Sequence, residues 1–172
     1  DDRFRNRLMF PIAGIDGQVI GFGGRAMPGD APEKAGAKYI NTPETLLYKK
    51  SRVLYGIDLA REAIRKTRSA VLVEGYFDVI GLHQAGVKNA VAVCGTALTP
   101  EHLELLRRCD CREVVVLFDG DPAGLAAPAK AAEALVIKSG TAAAETVTIS
   151  ADPATVPATG GTVTLIATVL DA

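Results

Sequence analysis

Short, uninterrupted apolar runs alternate with helical patterns over the middle of the chain. Residues 70–73 and 114–118 contain no polar residue, which is typical of strands buried on both faces of a parallel sheet. Residues 90–93 form a third run of this kind. Helical patterns at 77–85 and from Pro100 onwards separate the runs, and this order predicts a parallel α/β sheet with right-handed crossovers.

The start of the chain predicts a β-hairpin. Apolar residues 8–12 and 19–22 flank Asp16-Gly17, a dipeptide typical of tight hairpin turns. Pro11 has no N–H to donate to a neighbouring strand. The strand that contains it must therefore lie at a sheet edge or carry a bulge.

Helix boundaries follow from capping residues. We expect a helix over residues 58–66 with Asp58 as its N-cap, and a later helix with Thr99 as N-cap and Pro100 in the first helical position. Gly86 is a favourable C-terminal end for the helix that precedes it. In the first of these helices, the apolar residues expected to face the core are Leu59, Ala60, Ala63 and Ile64.

Residues 28–50 predict an irregular loop that is rich in basic, aromatic and amide side chains. From Lys38 to Lys50 these residue types are interleaved, and such a mixture suits phosphate contacts, base stacking and hydrogen bonds to a nucleic-acid strand. The alternative is a solvated loop fixed in place by Tyr39 and Ile40. Composition alone favours this alternative.

The composition changes after Gly140. Residues 141–172 contain eight Thr, whereas all 19 basic residues lie at or before Lys138. Residues 146–149 and 162–169 alternate between polar and apolar types, which predicts antiparallel strands. Any binding of nucleic acid is therefore expected in the part of the chain that precedes this Thr-rich tail.

Three acidic residues stand at the carboxyl ends of predicted strands. Glu74 follows the first apolar run, and Asp119 and Asp121 follow the last. The carboxyl ends of neighbouring parallel strands meet at one edge, where ligands bind. Carboxylates so close together repel one another unless a divalent cation lies between them. The alternative is that these acids only cap the following helices, and Asp121 fits that role best.

Other metal sites fit the sequence poorly. Around Asp119-Gly120-Asp121, a calcium loop is excluded because Ala123 and Lys130 stand where its oxygen ligands belong. The three cysteines, an odd number with CxC spacing, are expected to be ordinary thiols in a reducing compartment. Neither histidine has a partner at ligand spacing. These residues are Cys94, Cys109, Cys111, His83 and His102.

The motifs occur in an order that resembles the bacterial DNA primases of the DnaG type. The resemblance covers about residues 3–135. Two of the stretches that carry it are Lys38-Tyr39-Ile40-Asn41-Thr42-Pro43-Glu44-Thr45 and Val73-Glu74-Gly75-Tyr76-Phe77-Asp78. The other matching stretches are residues 3–7, 10–12, 19–25, 54–56, 95–99 and 119–124. The tail from residue 146 is weakly similar to the start of a bacterial Ig-like repeat of the invasin type.

The resemblance implies an α/β fold, in which a Toprim-type parallel sheet flanked by helices follows an α+β subdomain that contains the hairpin. We expect residues 1–67 to form the basic N-terminal part of the primase core. Residues 68–138 would form a truncated Toprim domain, and residues 139–172 a short β-rich tail with an Ig-like pattern.

The resemblance also assigns roles to individual residues. Glu74 matches the Toprim glutamate, a general base or metal-linked group. Asp119 and Asp121 match the DxD pair that binds Mg²⁺ (or Mn²⁺), and Asp78 matches the acid one helical turn after the glutamate. The resemblance favours the nucleic-acid-binding interpretation of the loop over the solvated one. It implies a groove for template and nucleotide that is lined by Arg25, Lys38, Tyr39, Asn41 and Lys50.

The implied function is template-directed synthesis of short RNA primers on single-stranded DNA by two-metal nucleotidyl transfer from ribonucleoside triphosphates. We expect a cytoplasmic enzyme with no membrane partner. The replicative helicase is a partner of the full-length family, but the helicase-interaction and zinc modules are not expected here. A Thr-rich tail replaces the family's next acidic strand, so the alternative is a chimeric or non-catalytic remnant that binds single-stranded nucleic acid.

Overall fold

The fold contains an antiparallel sheet near the N-terminus followed by a larger mixed sheet. This computed structural model describes residues 3–27, 36–118, 147–151 and 163–169. Within these ranges, no helix combines the length and the apolar character needed to cross a bilayer. The strands are β1 Arg7–Ala13, β2 Val19–Ala26, β3 Tyr39–Asn41, β4 Ser69–Val73, β5 Ala90–Ala92, β6 Glu113–Phe118, β7 Val147–Ala151 and β8 Val163–Val169, and the helices are α1 Ile57–Thr67, α2 Tyr76–Gln84 and α3 Pro100–Arg108, with a 3₁₀ turn at Lys50–Arg52.

The predicted hairpin is confirmed and gains a third strand. β1 and β2 pair antiparallel, and Gly17 supports the turn between them with a φ of +83°. Pro11 lies in β1, an edge strand of the order β1-β2-β3, as its missing N–H requires. The loop prediction for residues 28–50 is wrong at β3, which pairs with β2 from Gly23 to Arg25. This pairing satisfies backbone groups that β2 would otherwise leave open.

The larger sheet confirms the parallel α/β prediction. β4 runs parallel to both of its neighbours, β5 and β6, in the sheet order β5-β4-β6-β8-β7. Val73, near the carboxyl end of β4, is paired with both Ala92 and Leu117. Helices α1 and α3 contribute to the main core on one face of the sheet, together with Leu72, Val91, Val114, Val116 and Phe118.

The two sides of this sheet are not equally buried. In β6, Val114, Val116 and Phe118 are buried, whereas Glu113, Val115 and Leu117 are partly exposed. The expectation of strands buried on both faces is therefore wrong for β6. Its second face packs more lightly, since the smaller cluster there is built around α2 and includes Val79 and Leu117.

Helix α1 begins differently from the prediction. Gly56, with a φ of +81°, is the N-cap residue, so Asp58 lies in the first turn. A side chain is strained at such a φ, and glycine removes that strain. Leu59 was expected in the core, but 70% of it is exposed. The buried face is formed by Ile57, Ala60 and Ile64, which follow helical spacing.

The Thr-rich tail contributes the two predicted antiparallel strands, and they extend the parallel sheet. β8 pairs with β6 from Glu113–Thr168 to Phe118–Val163, and β7 pairs with the other side of β8. An edge of β6 is therefore covered by the tail. The helix expected after Asp121 lies outside the described residues.

Candidate active site

Glu74 lies at the ligand-binding edge of the parallel sheet. It directly follows β4, whose neighbours β5 and β6 end at the same edge. The residue is partly exposed, and its backbone carbonyl accepts a hydrogen bond of 3.0 Å from the N–H of Cys94. The loop after β5 therefore fixes the backbone from which the Glu74 carboxylate extends.

Asp78 lies in the first turn of α2 and has a local structural partner. Its Oδ2 accepts a hydrogen bond of 2.9 Å from the N–H of Gly75, so it caps the helix. A carboxylate has two oxygens, and capping with one leaves acceptor capacity on the other. The side chain is exposed on the segment that also carries Glu74.

The described residues supply an incomplete set of metal ligands. They contain no group of three or more His, Cys, Asp or Glu placed to hold a metal ion. Asp119 and Asp121 lie outside the described residues. Oxygen donors suit Mg²⁺ or Mn²⁺, and Glu74 and Asp78 are of this type. Burial raises the pKa of the nearby Cys94 thiol to about 12, and sulfur is a softer ligand than these cations prefer.

Cationic and aromatic side chains form one surface next to this edge, here called the cation–aromatic surface: Arg25, Lys38, Tyr39 and Phe77. Arg25 lies opposite Tyr39 in the β2–β3 pairing. The Arg25 guanidinium carbon is 5.0 Å from the ring centroid of Phe77 and 6.0 Å from that of Tyr39. The Lys38 ammonium is also 6.0 Å from the Tyr39 ring. Both rings are 40% exposed, so the surface combines cations with accessible aromatic area.

The side chain of Asn41 connects the antiparallel sheet to the parallel sheet. Its Nδ2 donates a hydrogen bond of 3.1 Å to the carbonyl of Cys94, and its Oδ1 accepts one of 2.7 Å from the Tyr76 hydroxyl. Cys94 is in turn bonded to Glu74 through the backbone. A continuous chain of hydrogen bonds therefore runs from β3, which carries Tyr39, to the residue at the end of β4.

Tyr76 is fixed on several sides. Its ring stacks on Phe10 at a centroid distance of 4.6 Å and meets Tyr55 edge-on at 4.7 Å. Only 3% of the residue is exposed, and burial, followed by the nearby Cys94, raises the pKa of its hydroxyl. Tyr76 is thus a neutral donor to Asn41. The hydroxyl also lies against Gly23, where an added Cβ would be 2.3 Å from it.

Lys50 is held through its backbone. It lies in the 3₁₀ turn, where its N–H donates to Oε1 of Glu44 at 3.2 Å. Its carbonyl lies 2.8 Å from Nε2 of His102, in α3. Helix α3 therefore anchors this turn, whereas Arg25, Lys38 and Tyr39 are grouped around β2 and β3.

Three residues of the site were not predicted from the sequence. Tyr76 and Phe77 lie inside the motif that contains Glu74, and this position was the only signal for them. Cys94 was considered only as an ordinary thiol. Its position beside Glu74 depends on the pairing of β4 with β5, which brings the two strand ends together.

Comparisons with known proteins identify two family domains and related DNA primases. Residues 1–61 match the family model described as "DNA primase catalytic core, N-terminal domain", and residues 68–147 match the model described as "Toprim domain". The DNA primase of Myxococcus xanthus is 52% identical over 126 residues, which cover 73% of this chain and 20% of that relative. The chain spans about a fifth of the length of the curated relatives it matches.

Solved structures give the same result. The RNA polymerase domain of Mycobacterium tuberculosis primase DnaG is 53% identical, with a TM-score of 0.68, over 77% of this chain and 44% of that one. A DnaG primase catalytic domain bound to single-stranded DNA is 44% identical, with a TM-score of 0.69, over 78% of this chain and 41% of that one.

Proposed function

Because this chain belongs to the bacterial DNA primase family, we propose that it forms part of a primase catalytic core, which binds single-stranded DNA and supplies carboxylates for primer synthesis. The observation that carries the proposal is the hydrogen-bonded connection between the cation–aromatic surface and Glu74. Within this core we assign residues 1–67 to the N-terminal part, 68–138 to a Toprim domain and 139–172 to a tail.

The cation–aromatic surface has the chemistry needed for a nucleic-acid strand. Arg25 and Lys38 supply charges for phosphates, and Tyr39 and Phe77 offer partly exposed rings on which bases can stack. The related DnaG catalytic domain that binds single-stranded DNA supports this reading. Asn41 and Lys50 complete the proposed set, and Asn41 also holds β3 against the Toprim domain.

The carboxylates carry the proposed chemistry. Primer extension forms a bond between the 3′-oxygen and the α-phosphorus of a ribonucleoside triphosphate and releases pyrophosphate. We assign to Glu74 the role of accepting the hydroxyl proton or binding a cation. Mg²⁺ or Mn²⁺ would be held by Glu74, Asp78, Asp119 and Asp121 and would supply charge neutralisation for the triphosphate and activation of the 3′-hydroxyl.

Substitution of Glu74 tests the proposal. We expect Glu74→Gln to reduce Mn²⁺- or Mg²⁺-dependent dinucleotide synthesis on single-stranded template by about 10²-fold or more, because the amide neither accepts the proton nor carries the charge. Affinity for single-stranded DNA should stay the same. The measurement is product formation from labelled ribonucleotides by the whole chain.

The control is Glu104→Gln, which neutralises an exposed carboxylate on α3. This variant should synthesise dinucleotide at the rate of the unmodified chain. Synthesis by Glu74→Gln at the same rate would refute the assignment of Glu74.

A second candidate is binding of single-stranded DNA without catalysis. It is favoured by the contrast between a well-formed cation–aromatic surface and the Thr-rich tail, which stands in the sequence where the primase family has its next acidic strand. Salt-sensitive DNA binding that is weakened by Arg25→Ala and Lys38→Ala, without any synthesis by the unmodified chain, would support this candidate.

A further inference from the structure

His102 is a buried polar residue that the proposed chemistry does not use. It has no solvent exposure. Nδ1 lies 3.2 Å from the N–H of Thr99, and Nε2 lies 2.8 Å from the carbonyl of Lys50. A backbone N–H can only donate and a carbonyl can only accept, so the ring is the neutral tautomer that carries its proton on Nε2.

Thr99 makes a parallel connection to the same turn. Its Oγ1 accepts a hydrogen bond of 3.2 Å from the N–H of His102 and donates one of 2.6 Å to the carbonyl of Ser51. Two successive carbonyls, those of Lys50 and Ser51, are therefore held by the N-terminus of α3. We call the pair Thr99 and His102 the α3 clamp.

The turn held by the clamp is strongly basic. Lys49, Lys50 and Arg52 provide three cations within four residues. The 3₁₀ turn is only three residues long, and its N-cap residue Lys49 makes no side-chain cap, although Glu44 accepts from the N–H of Lys50. Short turns of this kind have few hydrogen bonds of their own, so the contacts from α3 order it together with that of Glu44.

We propose that His102 is a positioning residue, which fixes the backbone of Lys50 so that its ammonium group contacts a phosphate of the bound strand. This inference rests on the proposed binding of single-stranded DNA. The bond from Nε2 to the Lys50 carbonyl transmits the effect, and the Thr99 hydroxyl reinforces it one residue later. His102 itself contacts no nucleic acid.

The salt dependence of binding tests the inference, because it counts the phosphates that are neutralised. For single strands each contact contributes about 0.7 to the slope of log affinity against log salt. The probe is a fluorescein-labelled oligothymidylate titrated with the whole chain over a series of KCl concentrations. We expect Lys50→Ala and His102→Asn each to reduce the magnitude of this slope by about 0.7. For His102→Asn the reason is that the shorter Asn side chain cannot reach the Lys50 carbonyl.

A double variant and a conservative substitution test whether His102 acts through Lys50. Lys50→Ala combined with His102→Asn should lower the slope no further than either change alone. His102→Gln should keep the slope, because its terminal amide reaches the Nε2 position. His83→Asn is the matched control, since His83 also contacts a carbonyl, that of Ala90 at 3.0 Å, and lies outside the clamp.

Thr99 provides an independent pair of variants if His102→Asn does not fold. Thr99→Val removes both hydroxyl hydrogen bonds and should lower the slope, whereas Thr99→Ser keeps them and should not. The inference alone is overturned if Lys50→Ala lowers the slope and neither clamp variant does, or if Lys50→Ala leaves it unchanged. Absence of salt-dependent binding by the unmodified chain would refute the proposed function as well.

Discussion

Gly23 and Tyr76 are packed so closely that position 23 has no room for a side chain. A Cβ on Gly23 would lie 2.3 Å from the Tyr76 hydroxyl and 2.4 Å from the ring carbon that carries it. The ring cannot retreat easily, because Phe10 stacks on it and Asn41 accepts its hydrogen bond. This contact joins the antiparallel sheet to α2 behind the candidate active site.

We therefore expect Gly23→Ala to lower the free energy of unfolding by about 1–3 kcal/mol, the usual cost of overpacking. Urea denaturation would measure the change. Gly81→Ala is the comparison, because a Cβ at Gly81 in α2 meets no atom within 4 Å. That variant should be stabilised by about 0.5–1 kcal/mol, since alanine has a higher helix propensity. Equal stability of the two variants would contradict the steric argument.

For individual residues, the sequence predicted those features of the site that depend only on neighbouring positions in the chain. Glu74 was placed correctly at a strand end because a buried run followed by an acid has few alternatives in a parallel sheet. The bond between Asn41 and Tyr76 was not predicted, since it joins side chains 35 residues apart. The roles of Asp119 and Asp121 remain predictions, because these residues lie outside the described ranges.

Elements were predicted best where their ends have a chemical signal in the sequence. The start of α3 was correct because Thr99 caps it and Pro100 occupies its first position. The start of α1 was missed because it depends on the backbone of Gly56. Leu59 was assigned to the wrong face, since the buried face contains Ile57, Ala60 and Ile64. A capping side chain is visible in a sequence, whereas a left-handed backbone is not.

Helix α3 should give the protein a pH dependence through His102. Burial lowers the pKa of this ring below its usual value of 6.5. Well above pH 6.5 the ring is neutral in the folded and unfolded chains. Below it, the unfolded chain takes up a proton that the folded chain refuses, so stability falls by up to about 1.4 kcal/mol per pH unit until the folded pKa is reached.

Urea titrations from about pH 7.5 to about pH 5 would measure this loss. The His102→Gln variant lacks the titrating group, so its stability should fall less over the same range. All groups other than residue 102 are the same in the two chains and cancel from the comparison. Parallel curves for the two proteins would show that His102 contributes nothing to the acid dependence.

The whole molecule combines a family-typical core with a tail that covers one sheet edge. The order of apolar runs predicted the parallel strands, because each crossover needs a helix of the length found between them. Alternation predicted strands in the tail as well. It could not predict their partner, because an alternating pattern defines a strand but not the edge to which it bonds.

Removal of the tail strand from β6 should expose an edge that can pair with other chains. β8 lies between β6 and β7, so a proline within it removes a ladder hydrogen bond to one of them. We expect Ile166→Pro to lower the free energy of unfolding by about 1–3 kcal/mol and to produce larger species in size-exclusion chromatography. Ile166→Val, which keeps the N–H, should behave as the unmodified chain. A monomeric proline variant of unchanged stability would argue against the pairing of β8 with β6.

The α3 clamp also has a consequence for the order in which the molecule is built. Its two hydrogen bonds connect residues that are far apart in the sequence: Thr99 and Ser51 are separated by 48 positions, and His102 and Lys50 by 52. Contacts between distant residues form after local ones, because the intervening loop must first be closed. During synthesis from the N-terminus, the hairpin can pair while the later strands are still unmade. The basic turn acquires its final shape only once α3 has emerged and docked, so the Lys50 charge proposed to bind DNA is set in place after the hairpin.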